Sequence, residues 1–454
     1  MIGFFEVVDR ATTGPSCSEK DYDLRVFAKK LLEVVKEYDI RYDPDNPIPS
    51  DDSLADEVFK AAMSFYVEVG TYCLDTERII KFTEEEIKDA LKAAKASVPF
   101  GGGRETKNFV SRTPESKVPP WCSVGPGGIA VSSDEIFSSL MQSYVQLIPL
   151  ADSVCTACLT SVDGKPIRIN TPLEIEGAIR NVNLAKEALR RAGRPNLPIV
   201  NGVATAVSAE AAIAGGSLLE PSDSFEIGSI AEMKIDYNLM NKVVYALSTN
   251  GKILAGCGPL LGGYCGGPEG LAVATTAYTF HALLVQRGAI YHPYPVHYRF
   301  LCNSERQLLW ACSLSYQAIS RNSKMPVLVL GYAASGPTEK TAFYETAATT
   351  LANVVSGASI EVQGLAREKT DHLSPLEAKL ATEIAYSVLG MKRDDANNVV
   401  KRLLPLYEDK LDKPSLGKKY QECFDMNTKT PREEYKKLYE ETTKDMEDYG
   451  ILMC

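Results

Sequence analysis

Residues 171–203 read TPLEIEGAIRNVNLAKEALRRAGRPNLPIVNGV. Thr171 is a helix cap, Pro172 fits the first helical position, and Glu174 meets the positive helix terminus. The helical pattern runs to Ala192 and stops at Gly193, before Pro195. A short apolar run, Leu197–Val203, follows as a strand ending on Asn201-Gly202. A helix delivered straight into a buried strand is the unit of a parallel sheet.

Working outward, the same unit recurs from about residue 120. The predicted strands are WCSVGPGGIAV (121–131), SVCTACLTSV (153–162), LPIVNGV (197–203), DSFEIGS (223–229), KILAGCG (252–258), PVHYRFL (295–301), MPVLVLGY (325–332) and SIEVQG (359–364). Helices fit between them. One opens at Gly336-Pro337-Thr338-Glu339 and closes at Gly357; another has Ser374 as cap and closes at Gly390. Eight strand–helix units over about 270 residues predict a closed (β/α)8 (TIM) barrel at 120–394. An open doubly wound sheet is the alternative.

Residues 1–119 are expected to form a helical extension. Ser18 caps a helix whose apolar stripe is Tyr22, Leu24, Phe27, Leu31 and Leu32, and a second helix stops at Gly70. Thr83 and Glu86 form a capping box, and GGGR (101–104) is expected to be a flexible break. Residues 395–454 form a helical tail, whose last helix opens at Thr430-Pro431 and is expected to be a solvated surface element.

With 49 Lys and Arg against 59 Asp and Glu, the chain carries a net charge of −10, a poor match to nucleic acid or an anionic membrane. No apolar run approaches a membrane span. No signal peptide is read, and the 11 cysteines form no disulfide framework. A reducing, cytoplasmic location is expected.

Active sites of such barrels lie at the C-terminal strand ends. That rule selects Asn201, Glu226, Gly256, His297, Arg299 and Tyr332. Each has a plainer reading. Asn201-Gly202 also spells a left-handed turn. Glu226 either binds a structural Arg or is aimed at a cationic ligand, because an unpaired buried carboxylate is costly. Tyr332 also reads as a core tyrosine with its hydroxyl at the rim. His297 and Arg299 alternate onto one face of PVHYRF, to bind an anion or to fill the interior. Only four histidines occur, with no HExxH, so a metal-dependent hydrolase is disfavoured and no metal ligands are assigned. Cys155-Thr-Ala-Cys158 reads as two packed thiols. Pro259-Leu-Leu-Gly-Gly-Tyr-Cys-Gly-Gly267 is not a phosphate loop; it reads as a mobile or docking loop.

Taken in order, YCLDTERIIKFTEEEI (72–87), LTSVDGK (159–165), AGRP (192–195), FEIGSIAEMKID (225–236), GGYCGG (262–267), PVHYRF (295–300) and KYQECFDMNTKTPREEY (419–435) resemble the corrinoid-dependent monomethylamine methyltransferases of methanogenic archaea. The resemblance implies a barrel with an N-terminal helical appendage, assembled as a homo-oligomer with a hexamer as candidate size. It implies a methylated amine bound at the mouth. It also implies a separate docking protein that carries the corrinoid, whose cobalt(I) takes the methyl group.

In that family the third strand carries pyrrolysine, whose imine holds the amine. Here the position falls on Asn201. A family glutamate falls on Gly256 and a glutamine on Leu330, while Glu226 and Tyr332 persist. These losses suggest a larger, more apolar pocket suited to a quaternary amine or betaine. Glu226 would be its counter-charge, and Tyr332 and Tyr264 its cation–π partners. Asn201 would be a positioning group, and His297 and Arg299 would meet a carboxylate on the donor. Two other readings stand beside this one: a noncatalytic paralogue that keeps the docking surface, and an enzyme using a methylated thiol or methoxy donor with Glu226 as proton donor.

Overall fold

Eight short strands close into a barrel in the computed structural model, which describes residues 2–451 and 453, apart from the side chains of Val362 and Gln363. They are β1 (Cys122–Val124), β2 (Ser153–Cys155), β3 (Ile199–Asn201), β4 (Ser224–Gly228), β5 (Lys252–Cys257), β6 (Ile290–Pro293), β7 (Leu328–Tyr332) and β8 (Ser359–Gly364). Pairing is parallel throughout, in the arcs β3-β2-β1-β8-β7 and β4-β5-β6. Two seams join the arcs. Tyr291 N–H donates to the Pro326 carbonyl at 3.0 Å, beside a single Tyr291–Val327 bridge. The Ser224 hydroxyl donates to the Val200 carbonyl at 2.5 Å. A helix follows each strand, from Asp134–Leu147 after β1 to Pro375–Ser387 after β8.

The sixth strand lies upstream of the expected 295–301. Ile290–Pro293 is buried at every position and pairs with β5. Val296–His297 instead joins Leu260–Leu261 in a two-stranded ribbon, and residues 298–300 are a turn. The alternation in PVHYRF therefore does not separate a barrel interior from an exterior.

A hairpin, Ser97–Phe100 with Lys107–Val110, seals the N-terminal end of the barrel. Its Phe100 and Phe109 pack with Trp121 against Val200, Leu254, Ile290 and Leu328, the inward residues of β3, β5, β6 and β7. Phe109 stacks on Trp121 with centroids 5.1 Å apart. Burial of each such side chain contributes about 1.5–3 kcal/mol. GGGR is ordered rather than loose, because Gly102 N–H donates to the Asn196 carbonyl and Glu105 pairs with Arg194 at 2.7 Å.

The N-terminal extension is helical with two hairpins added, this one and Thr71–Cys73 with Arg78–Ile80. The helix capped by Ser18 contains a π-helical segment, Tyr22–Ala28. The wider turn rotates the stripe, so Leu24 and Leu32 are exposed while Tyr22, Phe27, Leu31 and Val34 are buried. The Thr83–Glu86 capping box forms. The last helix, Glu433–Asp448, is not merely solvated: it buries Tyr435, Tyr439, Thr442 and Met446.

Candidate active site

The C-terminal ends of the strands enclose a cavity of about 230 Å³. Gly127, Gly128 and Ile129 after β1, Asn201 and Ala204 at β3, and Glu226 of β4 form one side. His292 and Tyr294 at β6, Leu330 and Tyr332 of β7, and Glu368 after β8 form the other. Among the described residues, no cluster of three His, Cys, Asp or Glu side chains is placed to hold a metal ion.

Asn201 is buried at the tip of β3, where a register shift against β2 follows Ile199. Its carbonyl accepts from the Thr156 amide and hydroxyl at 3.0 and 2.9 Å. The left-handed turn reading fails, because neither Asn201 nor Gly202 has a positive φ. Gly202 is small for packing, since a Cβ there would lie 2.6 Å from Leu219.

Glu226 faces the cavity. Among the described residues no cation lies within ion-pair distance of it, so the structural-Arg reading fails. The nearby Lys242 instead donates to the Val207 carbonyl at 2.6 Å. Burial pushes the Glu226 carboxyl up to about 7, with the Lys242 charge pulling the other way.

Gly256 does not open space. A Cβ there would lie 2.7 Å from Glu226 Oε1 and 3.0 Å from the Tyr294 hydroxyl. The Tyr294 ring covers the inner glycines of two strands and also contacts Gly258. The pocket is therefore not the enlarged apolar one expected. Its Gly256 wall is closed by a carboxylate and a phenol.

His292 is buried, and its Nδ1 lies 2.9 Å from the Leu328 carbonyl, which makes Nδ1 the protonated nitrogen. Nε2 then presents a lone pair to Glu361 Oε2 at 3.5 Å. Glu361 has no solvent exposure, and its carboxyl faces the Cys155 thiol as well as His292. Burial pushes Glu361 up to about 8 and His292 down to about 4. Near neutral pH the contact joins a neutral acid to a neutral imidazole.

Tyr332 is clamped by Asn303, whose Oδ1 accepts the Tyr332 N–H at 2.8 Å and whose Nδ2 donates to the Leu330 carbonyl at 2.8 Å. The ring lies on Gly364, where a Cβ would come within 1.9 Å. Its hydroxyl faces Glu368, and burial and that charge push the phenol well above its usual range.

The structure brings Asn201, Glu226, Gly256, Leu330 and Tyr332 together. Tyr264 is exposed on the rim and does not line the cavity. His297 and Arg299 stand outside as well. His297 stacks on Phe300 and accepts the Arg299 amide, and Arg299 pairs with Asp412 at 2.6 Å. Reading the sixth strand one step late selected these two residues and hid His292 and Tyr294. The short apolar run AIYH (289–292) after Gly288 was the available signal. Glu361 was legible as an inward alternate of β8. Glu368 lies in a loop and left no periodic signal.

A family model described as monomethylamine methyltransferase MtmB matches residues 2–451. The protein of that name from Methanosarcina mazei is 31% identical over 459 aligned residues, covering 99% of this chain and 98% of the relative. MtmB1 of Methanosarcina barkeri strain Fusaro is also 31% identical with the same coverage. The crystal structure of the Methanosarcina barkeri monomethylamine methyltransferase has a TM-score of 0.95 at 29% identity, over 99% of this chain and 98% of that one. A hydroxylamine complex of MtmB matches equally well. The chain belongs to the monomethylamine methyltransferase family, a family of methyltransferases.

Proposed function

We propose that this protein takes a methyl group from a small quaternary ammonium donor and passes it to the cobalt of a corrinoid carried by a separate docking protein. The observation that carries the reading is Glu226, a cavity-lining carboxyl without a cationic partner among the described residues and flanked by Tyr294 and Tyr332. A quaternary cation supplies the missing charge and offers its methyl surface to the phenol faces. Asn201 stands where the family resemblance expects pyrrolysine. An amide forms no adduct with an amine, so binding here is noncovalent. Catalysis then rests on orientation and electrostatics.

A quaternary nitrogen suits that arrangement. When its C–N bond breaks, the electron pair stays on nitrogen and the amine leaves neutral, so no proton is required. The corrinoid cobalt supplies the electron pair for the new bond to carbon. Glu226 holds the cation, Asn201 and Tyr332 limit its orientation, and the Asn303 clamp fixes Tyr332. A docking partner fits the rim, where Val207, Tyr264, Tyr298 and Leu301 are exposed around the mouth.

The test follows methyl transfer to reduced cobalamin by absorbance, with tetramethylammonium, mono-, di- and trimethylamine, a methylated thiol and a methoxy compound as donors. The proposal expects transfer from tetramethylammonium, lost in Glu226→Gln, and none from monomethylamine. Transfer from the thiol or methoxy donor alone would assign Glu226 to proton donation instead. Silence across the panel together with a stable complex with a corrinoid protein would make the chain a noncatalytic binding module.

A further inference from the structure

The cavity carries two carboxylate–phenol couples. Glu226 Oε1 and the Tyr294 hydroxyl both lie within 3.0 Å of the point where a Gly256 Cβ would stand. Glu368 faces the Tyr332 hydroxyl across the cavity wall that β7 and β8 form. Glu361 lies behind His292, buried and facing the Cys155 thiol, and adds a third acidic group without lining the cavity.

The lining offers an anion no cationic side chain among the described residues. No Lys or Arg contributes to it. Among the described residues His292 is its only imidazole; the Nδ1 proton of that ring is used on the Leu328 carbonyl and its Nε2 lone pair faces Glu361. Arg299 outside the mouth is held by Asp412.

Glu368 is presented by an unusual turn. Ala366, Arg367 and Glu368 have φ of 50°, 51° and 60°. For residues other than glycine this conformation costs about 1–2 kcal/mol each. The turn is tied down by Ala366 N–H to the Ser335 carbonyl at 3.0 Å, and by the Arg367 guanidinium to the Leu411 and Asp412 carbonyls.

From this placement we infer that the preferred donor is a dication, a methylated diamine whose quaternary nitrogen sits at Glu226 and whose second ammonium sits at Glu368, and that betaines bearing a carboxylate are rejected. The inference rests on the quaternary-ammonium reading of the site and names its substrate class. Glu368 becomes the specificity-determining residue. Transfer of one methyl leaves the C–N electron pair on nitrogen, and the dication departs as a monocation.

The test is calorimetric binding of tetramethylammonium, 3-aminopropyl(trimethyl)ammonium and glycine betaine to the full chain, at low salt and about pH 8, where Glu226 is ionised. The dication is expected to bind about two- to five-fold tighter than tetramethylammonium, as one exposed ion pair allows. Betaine is expected to bind at least about ten-fold weaker. Glu368→Gln should erase the dication's advantage, and Glu368→Arg should bring betaine up to tetramethylammonium. Equal binding of betaine and tetramethylammonium by the unaltered protein, or a dication advantage that survives Glu368→Gln, would overturn the inference. A separate arm addresses the underlying reading: cations that bind Glu226→Gln as tightly as the unaltered chain would sink the Glu226 anchor, whatever Glu368 does.

Discussion

Gly256 shows how one residue decides the character of the pocket. The family resemblance expects a carboxylate there, and its loss read from sequence as added space. The structure instead fills that wall with Tyr294 and Glu226, so the glycine is what lets both groups reach their places. Even one added carbon must displace them. Gly256→Ala is expected to cost about 1–3 kcal/mol of stability and to lower affinity for a quaternary cation. Thermal unfolding and calorimetry check the two effects separately. A variant with unchanged Tm and affinity would show that Tyr294 moves aside freely.

Among the elements, helices and strands with local signals were legible and those defined by distant partners were not. Pro172–Arg191, capped at Thr171 and followed by Gly193, could be read because each of its signals is local. The sixth strand could not, because PVHYRF carries stronger alternation than IYHP, and only pairing with β5 makes IYHP a strand. The floor hairpin was missed for the same reason: Phe100 and Phe109 acquire meaning from Trp121 and four strands distant in sequence. Trp121→Ala is expected to cost about 3–5 kcal/mol, read by denaturant unfolding, with the mouth left intact in any protein that still folds. Asn303→Ala leaves the Leu330 carbonyl and the Tyr332 amide unpaired and frees the Tyr332 ring. It is expected to lower kcat by about ten-fold or more with a smaller change in KM, since orientation rather than charge is lost.

Across the whole molecule, burial holds several titrating groups off their usual range. Glu361 is held up to about 8, and Glu226 and Glu377 up to about 7, all by burial. Their folded values exceed the unfolded value of about 4.3. Their stabilising contribution is therefore complete below that value and is lost as pH rises through 7 to 8. His281 and His292, pushed down to about 3 and 4, act oppositely: stability present above about 6.5 is lost as pH falls toward those values. Stability is expected to peak in mildly acidic solution. Glu361→Gln should raise Tm at pH 8 relative to the unaltered protein and change it little at pH 5. A Tm gain equal at both pH values would contradict the protonated state assigned to Glu361.

The direct test of the Glu226 cation site is the affinity for tetramethylammonium from about pH 5 to 9, measured by calorimetry on the unaltered chain and on Glu226→Gln. An ionised Glu226 is required for binding, so affinity should rise about ten-fold per pH unit below 7 and level off above it. One proton should be released per cation bound at the acid end, and Glu226→Gln should bind weakly at every pH. Affinity independent of pH, or unchanged in Glu226→Gln, would contradict the account.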